Sequence, residues 1–532
     1  ERVSRVVCRL ATNTARLQHY NAIGKLTDES LEKLGAKRIF VLGLGDDDKA
    51  LDEDFEKWRE ELWPELLRRF NPNATSEELS SDVIEVPKIA YDAIPVTGAA
   101  DQAQRSFSST DINGSTKHYF SAVDAKILVN RELRTTKDPG STRHIELDIH
   151  DAGVEYKTAD NCAVLPENDD ASVDKLANAL GYDPDLVFTM EPKESGKKHL
   201  FPTPCSVRVA LKSFCDIHGI PRRATLKELV PFVKNPEHRQ SLAALTAKDG
   251  RQRYTDTIED QGRSLFDIIV DIYPSFQIPL AHFMVLVPRL QPRYYTISSS
   301  STVHPKRIHL TVSVIEQTKL DGSLFNGVCS TFLQSLEPPF TKGGKRTDEG
   351  HNGLKRQAWP SCRVFVRDSS FRLPEDPRTP ILLIGPGTGI APMRALLQER
   401  DAQRQQGLDV GASILYFGCK KRDVDFLYED ELEAFRRSGA LTALHLAFSR
   451  ETKEKVYVQH VMARPDNAKE IWQLVNVQNA HIYVCGGTSM GADVAKVLHD
   501  VVKNLGGMDA SLATAYVDKL KAGGRYVQEL WA

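Results

Sequence analysis

The sequence comprises 532 residues, with 69 Lys or Arg against 72 Asp or Glu, which gives a formal net charge of −3. Basic and acidic residues are interspersed rather than grouped in blocks, and this pattern argues against a nucleic-acid partner. The length predicts roughly three or four domains, and a hydrophobic content of 41% is sufficient for a core in each. Apolar runs fall well short of the roughly 20 residues of a membrane-spanning helix, so we expect a soluble chain.

The eight cysteines show neither CxxC spacing nor high density, which favours a reducing compartment over a disulfide scaffold. Because they also lack zinc-binding spacing, we predict no metal site. Residues 1–18 are rich in arginine, as in a transit peptide or in the trimmed end of a longer protein. Of these two explanations we favour the second, and we expect the chain to be amino-terminally truncated.

The first 116 residues combine an α/β segment with a linker. Hydrophobic periodicity predicts helices over residues 21–34 and 51–70 and one strand over residues 38–42. A single strand cannot form a sheet, so residues 1–70 are predicted to be the carboxyl-terminal part of a larger α/β domain. Residues 71–116 are rich in Ser, Asp, Ala and Thr with scattered prolines, which predicts a linker or hinge.

Residues 117–370 combine antiparallel-type strands with a helical segment. Alternating apolar and polar residues predict strands over residues 120–133, 143–149, 293–298, 307–316 and 363–366. Between the second and third of these strands, helical periodicity predicts an all-helical insertion at about residues 171–282. This order fits a β-barrel that is interrupted by helices.

Strands and helices alternate through residues 371–532. Strands are predicted over residues 381–384, 414–417, 444–448 and 482–485, with helices between them and a last helix over residues 511–520. This alternation is typical of a doubly wound parallel sheet. Such sheets bind ligands at the carboxyl ends of their strands, so the residues that follow each strand are the first candidates for a site.

The first of these strands runs into the turn Gly385-Pro386-Gly387-Thr388-Gly389, and a helix follows. Glycines allow a ligand to approach the backbone closely, and the unpaired amides of a new helix favour a phosphate. An ordinary strand-to-helix connection has the same pattern. Considered alone, this motif therefore predicts either a nucleotide site or a tight turn.

Basic and hydroxyl side chains follow the third predicted strand, at Ser449, Arg450, Lys455 and Tyr457. A guanidinium offers two parallel donors and a lysine a point charge, and both suit a dianion. This combination favours the 2′-phosphate of NADP over the free ribose of NAD. The alternative is that the two cations are ordinary surface charges.

A third motif runs from Arg293 through Tyr294 and Tyr295 to Thr296 and four serines. Adjacent tyrosines point to opposite faces of a strand, so at most one packs inward while the other can stack on a flat ring. The arginine can bind a pyrophosphate and Thr296 a ring nitrogen, although a core strand with a polar end has the same pattern. The turn at residues 327–330 is a second candidate for a phosphate.

Seven motifs occur in an order that resembles the diflavin NADPH–haemoprotein reductase family. They are RYYTIS at 293–298, GVCS at 327–330, GPGTGIAP at 385–392, SRE at 449–451, KVYVQH at 455–460, HIYVCGG at 481–487 and GRYVQELW at 524–531. The resemblance, which covers residues 19–532, implies four regions. These are a flavodoxin-like remnant of an FMN domain (1–70), a hinge (71–116), an FAD-binding antiparallel β-barrel with the helical insertion (117–370) and a ferredoxin-reductase-like NADPH-binding domain (371–532).

The resemblance also implies cofactor contacts. For FAD these are Arg222, Arg293, Tyr294, Tyr295, Thr296, Ser298, Thr311, Val312, Ser313, Gly327, Val328, Cys329 and Ser330. For NADPH they are Arg143, Gly385, Gly387, Thr388, Gly389, Ser449, Arg450, Lys455, Val456, Tyr457, Val458, Gln459 and Asp493. Trp531 would cover the flavin until nicotinamide displaces it. Thr296, Cys485 and Glu529 match the hydride-transfer positions, where the family commonly has serine, cysteine and aspartate.

FMN is expected for the family, but the sequence retains little of its site. Asp47 matches the last FMN-loop position, whereas residues 16–18 stand where an FMN-stacking aromatic is expected. The implied electron acceptors are haem-thiolate monooxygenases or a cytochrome. The implied location of a full-length member is the cytoplasmic face of the endoplasmic reticulum, reached through a membrane anchor that is absent here.

Three functions remain open at this point. The first is the haemoprotein reductase, and the second is a single-flavin NADPH dehydrogenase that passes electrons from FAD to soluble acceptors. The third is a remnant that binds nucleotide or a partner without turnover.

Overall fold

The computed structural model describes residues 4–5, 8–9, 22–45, 51–71, 85–97, 107–108, 110–135, 137, 139–339 and 359–531. The chain divides into two compact units, one of residues 1–89, 221–259 and 273–286 and one of residues 90–220, 260–272 and 287–532. Within the described ranges, no helix combines the length and the apolar character needed to cross a membrane.

The strands, in chain order, are β1 (Ser4–Arg5), β2 (Cys8–Arg9), β3 (Lys37–Arg38), β4 (Gly43–Leu44), β5 (Tyr91–Pro95), β6 (Val123–Glu132), β7 (Thr142–Asp148), β8 (Asn161–Leu165), β9 (Val187–Pro192), β10 (Cys205–Ser206), β11 (Arg293–Thr296), β12 (Arg307–Ser313), β13 (Glu316–Thr318), β14 (Leu324–Asn326), β15 (Ser361–Arg367), β16 (Ile381–Ile384), β17 (Ser413–Cys419), β18 (Ala443–Phe448), β19 (His481–Gly487) and β20 (Tyr526–Trp531).

The α-helices are α1 (Ala22–Lys33), α2 (Leu51–Phe70), α3 (His118–Ser121), α4 (Asp170–Leu180), α5 (Val207–Ser213), α6 (Arg223–Leu229), α7 (Pro236–Thr246), α8 (Arg251–Tyr254), α9 (Leu280–Leu286), α10 (Val328–Ser335), α11 (Ile390–Gln405), α12 (Arg422–Asp425), α13 (Glu429–Ser438), α14 (Val458–Met462), α15 (Pro465–Trp472), α16 (Thr488–Leu505) and α17 (Ala510–Ala522). Short 3₁₀ helices cover Gly114–Thr116, Val230–Phe232 and Gly387–Gly389, and π-helical turns cover Thr255–Glu259, Asp267–Ile272 and Gln473–Val477.

In the first unit, the single strand predicted over residues 38–42 is wrong. Two-residue strands flank this segment instead, and β1 pairs with β3 and β2 with β4, both in parallel. Trp58 of α2 donates its indole N–H to the carbonyl oxygen of Val41 over 2.8 Å and packs edge-on against Phe40. The pairing partners lie near the start of the chain, where local periodicity gave no signal. The predicted FMN residue Asp47 lies outside the described residues.

A three-stranded antiparallel sheet in the second unit, in the order β10-β9-β5, corrects two predictions. Strand β5 lies inside the predicted linker, and β9 and β10 lie inside the segment predicted to be all-helical. The β-branched and aromatic residues of β9 pair with β5, as Phe188 does with Pro95. Since these partners are far apart in sequence, the helical periodicity around them concealed the pairing.

The second unit also contains a six-stranded antiparallel sheet in the order β11-β8-β15-β6-β7-β12. Strand β8 was not predicted, and the strand predicted to begin at residue 120 begins at Val123, after the short helix α3. One face of this sheet packs on a continuous apolar core, in which Ile127, Leu147 and Leu310 are buried. The opposite face of β7 and β12 carries polar side chains, because successive residues of a strand alternate between faces.

A five-stranded parallel sheet in the order β18-β17-β16-β19-β20 completes the second unit. Helices α11 and α13 cover one face, where Leu383 and Phe417 are buried, and α14 to α17 cover the other, where Ile384 and Val484 are buried. The predicted parallel sheet is therefore present, with an additional edge strand, β20, next to β19. The carboxyl ends of these five strands form one edge of the sheet.

Candidate active site

The glycine turn after β16 owes its geometry to close backbone approaches. An added Cβ at Gly385 would lie 2.3 Å from the carbonyl oxygen of Gly389, and one at Gly389 would lie 2.1 Å from the carbonyl oxygen of Cys485. Gly387 has φ +57° and faces open space. Two glycines thus fold the turn and dock it on β19, while the third leaves room for a ligand at the start of α11.

The turn opens into a cavity of about 660 Å³ at the carboxyl edge of the parallel sheet. Predicted site residues that line it are Ser313, Gly387, Thr388, Ser449, Val456, Tyr457, Val458, Gln459, Asp493 and Trp531. Lining residues that our site prediction omitted include Arg134, Thr142, Lys420, Asp425, Ser489 and Met490. The position of Lys420 immediately after β17 was a usable signal, whereas nothing local marked Arg134, which lies in the connection between β6 and β7.

Polar groups in this cavity fit a nucleotide. The Gln459 side-chain N–H donates to Asp493 Oδ2 over 2.9 Å, and its carbonyl oxygen is buried without a hydrogen-bond partner among the described residues. A buried acceptor left in this way is costly unless a ligand donates to it. Tyr457 is 42% exposed at the same edge. The open glycine turn and this acceptor together fit a dinucleotide.

The predicted phosphate-binding cations lie on the surface beside the cavity. Arg450 and Lys455 are exposed, and neither forms an ion pair with any residue that the structure describes. Arg143 is different, because only 13% of its side chain is exposed and its guanidinium donates to the side chain and the carbonyl of Asn130, over 2.9 and 3.1 Å. Arg143 therefore braces β7 on β6 and does not line the cavity.

The three predicted hydride-transfer residues come together where β11 meets the ends of β19 and β20. Cys485 and Glu529 are paired in register on neighbouring strands, and the Thr296 hydroxyl donates to Glu529 Oε2 over 3.1 Å. Burial, and then the nearby carboxylate, raise the pKa of the Cys485 thiol, while a hydrogen bond with Thr296 opposes this shift. The thiol is 1% exposed and stays protonated at neutral pH.

Our prediction from the sequence did not include two further residues of this cluster. Asn161 donates to Glu529 Oε1 over 3.3 Å, and the Ser369 hydroxyl also donates to that oxygen. Ser369 follows β15 and Asn161 begins β8, a strand that we did not predict. A short strand with a polar first residue gave no pattern that would have linked it to the end of the chain.

The two tyrosines of β11 lie on opposite faces, as predicted from strand alternation. Tyr295 packs against the apolar core of the antiparallel sheet, while Tyr294 is 48% exposed. The guanidinium of Arg367 lies 5.6 Å from the centre of the Tyr294 ring, and Phe365 meets the same ring edge-on. The free face of Tyr294 is suited to stacking on a flavin.

Several predicted FAD residues are buried and can offer a cofactor little more than backbone atoms. Val312 and Cys329 belong to the apolar core, and the hydroxyl of Thr311 forms a hydrogen bond of 2.7 Å with that of Tyr428. Gly327 is the N-cap residue of α10, and an added Cβ there would lie 2.9 Å from the Ile315 side chain. The helix start without a side-chain cap fits a phosphate.

The remaining predicted FAD residues are dispersed. Arg293 is exposed at the start of β11, Ser298 is fully buried, and Ser330 donates its hydroxyl to the carbonyl oxygen of Gly327 over 3.0 Å. Val328 is the first residue of α10. Arg222 precedes α6 in the other compact unit.

A buried cluster of His144, Glu146 and His309 on the polar face of β7 and β12 has ligand atoms within 4.8 Å of one another. Arg394 of α11 can only donate, and its Nη1 lies 3.3 Å from Nδ1 of His309, so this nitrogen accepts. Neutral His309 then carries its proton on Nε2, which faces Glu146 at 3.6 Å and is not free to bind a metal. The cluster is a polar junction between the antiparallel sheet and α11.

Comparison with known proteins gives two domain matches. The sequence profile of the FAD binding domain matches residues 115–332, and that of the oxidoreductase NAD-binding domain matches residues 383–496. Three similar curated proteins, each called NADPH–cytochrome P450 reductase, come from Oryctolagus cuniculus, Homo sapiens and Drosophila melanogaster. They are 39%, 39% and 37% identical over 524 residues, which cover 97% of this chain and 74%, 74% and 73% of the relatives.

Proposed function

The chain belongs to the family of NADPH–cytochrome P450 reductases, and on this premise we propose that it is a flavin-dependent NADPH–haemoprotein reductase. The observation that carries the proposal is the convergence of Thr296, Cys485 and Glu529 beside a cavity of dinucleotide size. This cluster lies where two cofactor-binding domains meet, and it consists of a hydroxyl, a neutral thiol and a carboxylate. Such a set suits hydride transfer better than acid–base hydrolysis.

NADPH is proposed to bind in the cavity at the edge of the parallel sheet. The glycine turn receives the pyrophosphate at the start of α11, and Gln459 with Asp493 holds a ribose hydroxyl. Arg450 and Lys455, with the hydroxyls of Ser449 and Tyr457, bind the 2′-phosphate. Val456 and Val458 shape the wall of the cavity between these groups. The adenosine end of NADPH thus lies near Arg450 and Lys455, and its nicotinamide end lies near Trp531.

FAD is proposed to bind along β11. Tyr294 stacks on the ring system, Arg293 binds the pyrophosphate, and the start of α10 at Gly327 binds further phosphate or ribose oxygens. The buried residues Ser298, Thr311, Val312, Cys329 and Ser330 contribute through their backbone, and Ser313, which is partly exposed, contributes from the end of β12. Arg143 is proposed to support the NADPH site from behind, through its bonds to Asn130.

The bound cofactors supply the redox chemistry, in which a hydride passes from NADPH to FAD and electrons leave the flavin singly. The chain's own residues align the two rings and keep water out. Cys485 presents a buried S–H to the nicotinamide, and Thr296, oriented by Glu529, presents its hydroxyl to the flavin. Trp531, which is 44% exposed at the end of β20, covers the flavin until nicotinamide arrives.

The proposed domain organisation follows the family. Residues 117–370 form the FAD-binding barrel with its connecting insertion, and residues 371–532 the NADPH-binding domain. Residues 1–70 correspond to the last part of a flavodoxin-like FMN domain, joined by a hinge at residues 71–116. The acceptors are haem-thiolate monooxygenases or a cytochrome, and the cytoplasmic face of the endoplasmic reticulum is the proposed location of the full-length protein.

The test is anaerobic reduction of the flavin that purifies with the chain. We expect extracted FAD, and we expect NADPH to bleach the oxidised-flavin absorbance faster and at lower concentration than NADH does. If the chain retains FAD but NADPH does not bleach the flavin absorbance, only the third function remains, in which the protein binds nucleotide or a partner without turnover. Bleaching without electron transfer to a haemoprotein, even when the FMN domain of a relative is added, would favour the single-flavin NADPH dehydrogenase.

A further inference from the structure

The carboxylate of Glu529 accepts hydrogen bonds from three side chains of the antiparallel-sheet domain. Thr296 donates to Oε2 over 3.1 Å, while Asn161, over 3.3 Å, and Ser369 both donate to Oε1. Glu529 itself belongs to the edge strand of the parallel sheet. One carboxylate therefore ties the last strand of the chain to three separate segments of the neighbouring domain.

The Ser369 hydroxyl has little freedom to choose another partner. Its oxygen accepts the backbone N–H of Phe371 over 2.9 Å, which leaves its single proton for Glu529. The backbone N–H of Ser369 donates to Asp160 over 3.1 Å, and Asp160, which is 2% exposed, also pairs with Arg372. Ser369 is thus held from both sides by groups that take no part in the redox chemistry.

Asn161 constrains Thr296 as well as Glu529. Asn161 and Thr296 stand directly opposite each other on β8 and β11, and the Asn161 side-chain oxygen lies 3.3 Å from the Thr296 hydroxyl. Thr296 has one proton and two nearby acceptors. With Oε1 of Glu529 occupied by Asn161 and Ser369, the other carboxylate oxygen is turned toward Thr296.

We propose that Ser369 and Asn161 are positioning residues for hydride transfer, which act by fixing the Glu529 carboxylate and through it Thr296 and Cys485. The proposal rests on the proposed function. Glutamate extends one methylene further from β20 than aspartate does, and the Glu529 carboxylate reaches both donors. Because hydride transfer requires near-contact alignment, releasing the carboxylate slows the chemical step without removing any group that holds NADPH.

The test compares Ser369→Ala and Asn161→Ala with the matched control Ser370→Ala, which removes a hydroxyl from the exposed neighbouring position. Flavin reduction is followed in anaerobic single turnovers with NADPH and with 4-deuterated NADPH, and NADP⁺ affinity is measured by titration. We expect the two variants to reduce flavin about 10- to 100-fold more slowly, with a larger deuterium isotope effect and unchanged NADP⁺ affinity. Ser370→Ala should match the wild type, and Ser369→Thr should recover most of the rate.

A double-mutant comparison separates positioning from general structural support. In a Glu529→Ala background, adding Ser369→Ala should leave the rate unchanged, because its target is gone. If the two substitutions each slow flavin reduction by their own factor and these factors multiply in the double variant, the proposal is overturned. Wild-type rates in Ser369→Ala and Asn161→Ala would also overturn it. So would slow reduction that is fully explained by loss of FAD from the variants. If Ser369→Ala does not fold, Ser369→Cys replaces it, and a wild-type rate there counts against the proposal. A wild-type protein that NADPH cannot reduce would instead refute the proposed function.

Discussion

Gly389 lies so close to the carbonyl oxygen of Cys485 that an added Cβ would stand 2.1 Å from it. This approach docks the glycine turn onto the strand that carries the thiol, so the turn and Cys485 share one rigid support. The separation between the glycine turn and Cys485 is therefore set by backbone packing rather than by side chains.

Gly389→Ala should force this contact apart. Overpacking of this kind costs about 1–3 kcal/mol of stability, and displacement of the turn should weaken NADP⁺ binding as well. Thermal unfolding and NADP⁺ titration measure both effects. Gly114→Ala is the control, because an added Cβ there meets nothing within 4 Å. Equal behaviour of the two variants would show that the close approach is not important.

Arg450→Ala should lower NADPH affinity by about 1.5–3 kcal/mol, the usual worth of a hydrogen bond to a charged group, with little effect on NADH. The reason is that only NADPH carries the 2′-phosphate. Binding of both nucleotides is measured by titration, with Arg437→Ala, an exposed arginine on α13, as the charge-matched control. An equal loss of affinity for the two nucleotides would contradict the assignment.

Deleting the chain from Trp531 onward should raise the rate with NADH and slow release of NADP⁺. An indole that stacks on the flavin competes with nicotinamide for the same face, so its removal favours the nicotinamide-bound state for both nucleotides. Steady-state rates with each nucleotide and the rate of NADP⁺ release are the measurements, with Trp531→Phe as the conservative variant. Unchanged nucleotide preference with a lower melting temperature would mean that Trp531 only packs.

The purified 532-residue chain should contain about one FAD and no FMN. The described part of residues 22–71 contributes two helices and only two-residue strands, whereas a flavodoxin-like sheet needs about five full strands. The chain should therefore reduce ferricyanide, which can take electrons from FAD, and fail to reduce cytochrome c, which this family serves through FMN. FMN near one per chain, or equal rates with the two acceptors, would contradict this prediction.

Acidification should destabilise the junction around His309. Burial lowers the pKa of His144, His304 and His309 below the usual value of about 6.5, and Arg394 opposes their protonation. Below pH about 6.5 the unfolded chain binds these protons and the folded chain does not, so stability falls as pH decreases. The pKa of Glu146 is also lowered, chiefly by its hydrogen bond with His144. The folding stability that this ionised carboxylate provides is therefore lost only at more acidic pH.

His309→Gln should make this pH dependence shallower, by up to about 1.4 kcal/mol per pH unit for one proton. The thermal midpoint is measured between pH 7.5 and 5.5 for the wild type, for His309→Gln and for the control His150→Gln. His150 is exposed, and its substitution should leave the slope unchanged. Identical slopes for all three proteins would exclude His309 as a source of the acid sensitivity.

Features encoded within a few residues could be predicted from the sequence, and features that depend on distant pairing could not. The strand, glycine turn and helix at residues 381–400 and the opposite faces of Tyr294 and Tyr295 follow from local periodicity. The bonds of Asn161 and Ser369 to Glu529 depend on which strands become neighbours. The same reason explains why β9 remained hidden within a helical pattern.

Strand β15 pairs with β6 on one side and with β8 on the other. Both partners come much earlier in the sequence, since β8 ends at Leu165 and β15 begins at Ser361. During synthesis the ribosome makes residues 166–360 between the end of β8 and the start of β15, which takes roughly 10 to 40 s at typical elongation rates. Throughout that interval β6 and β8 present unpaired edges in the nascent chain. The domain is therefore expected to depend on chaperones during translation, and an expressed fragment that stops at residue 332 would keep those edges open permanently.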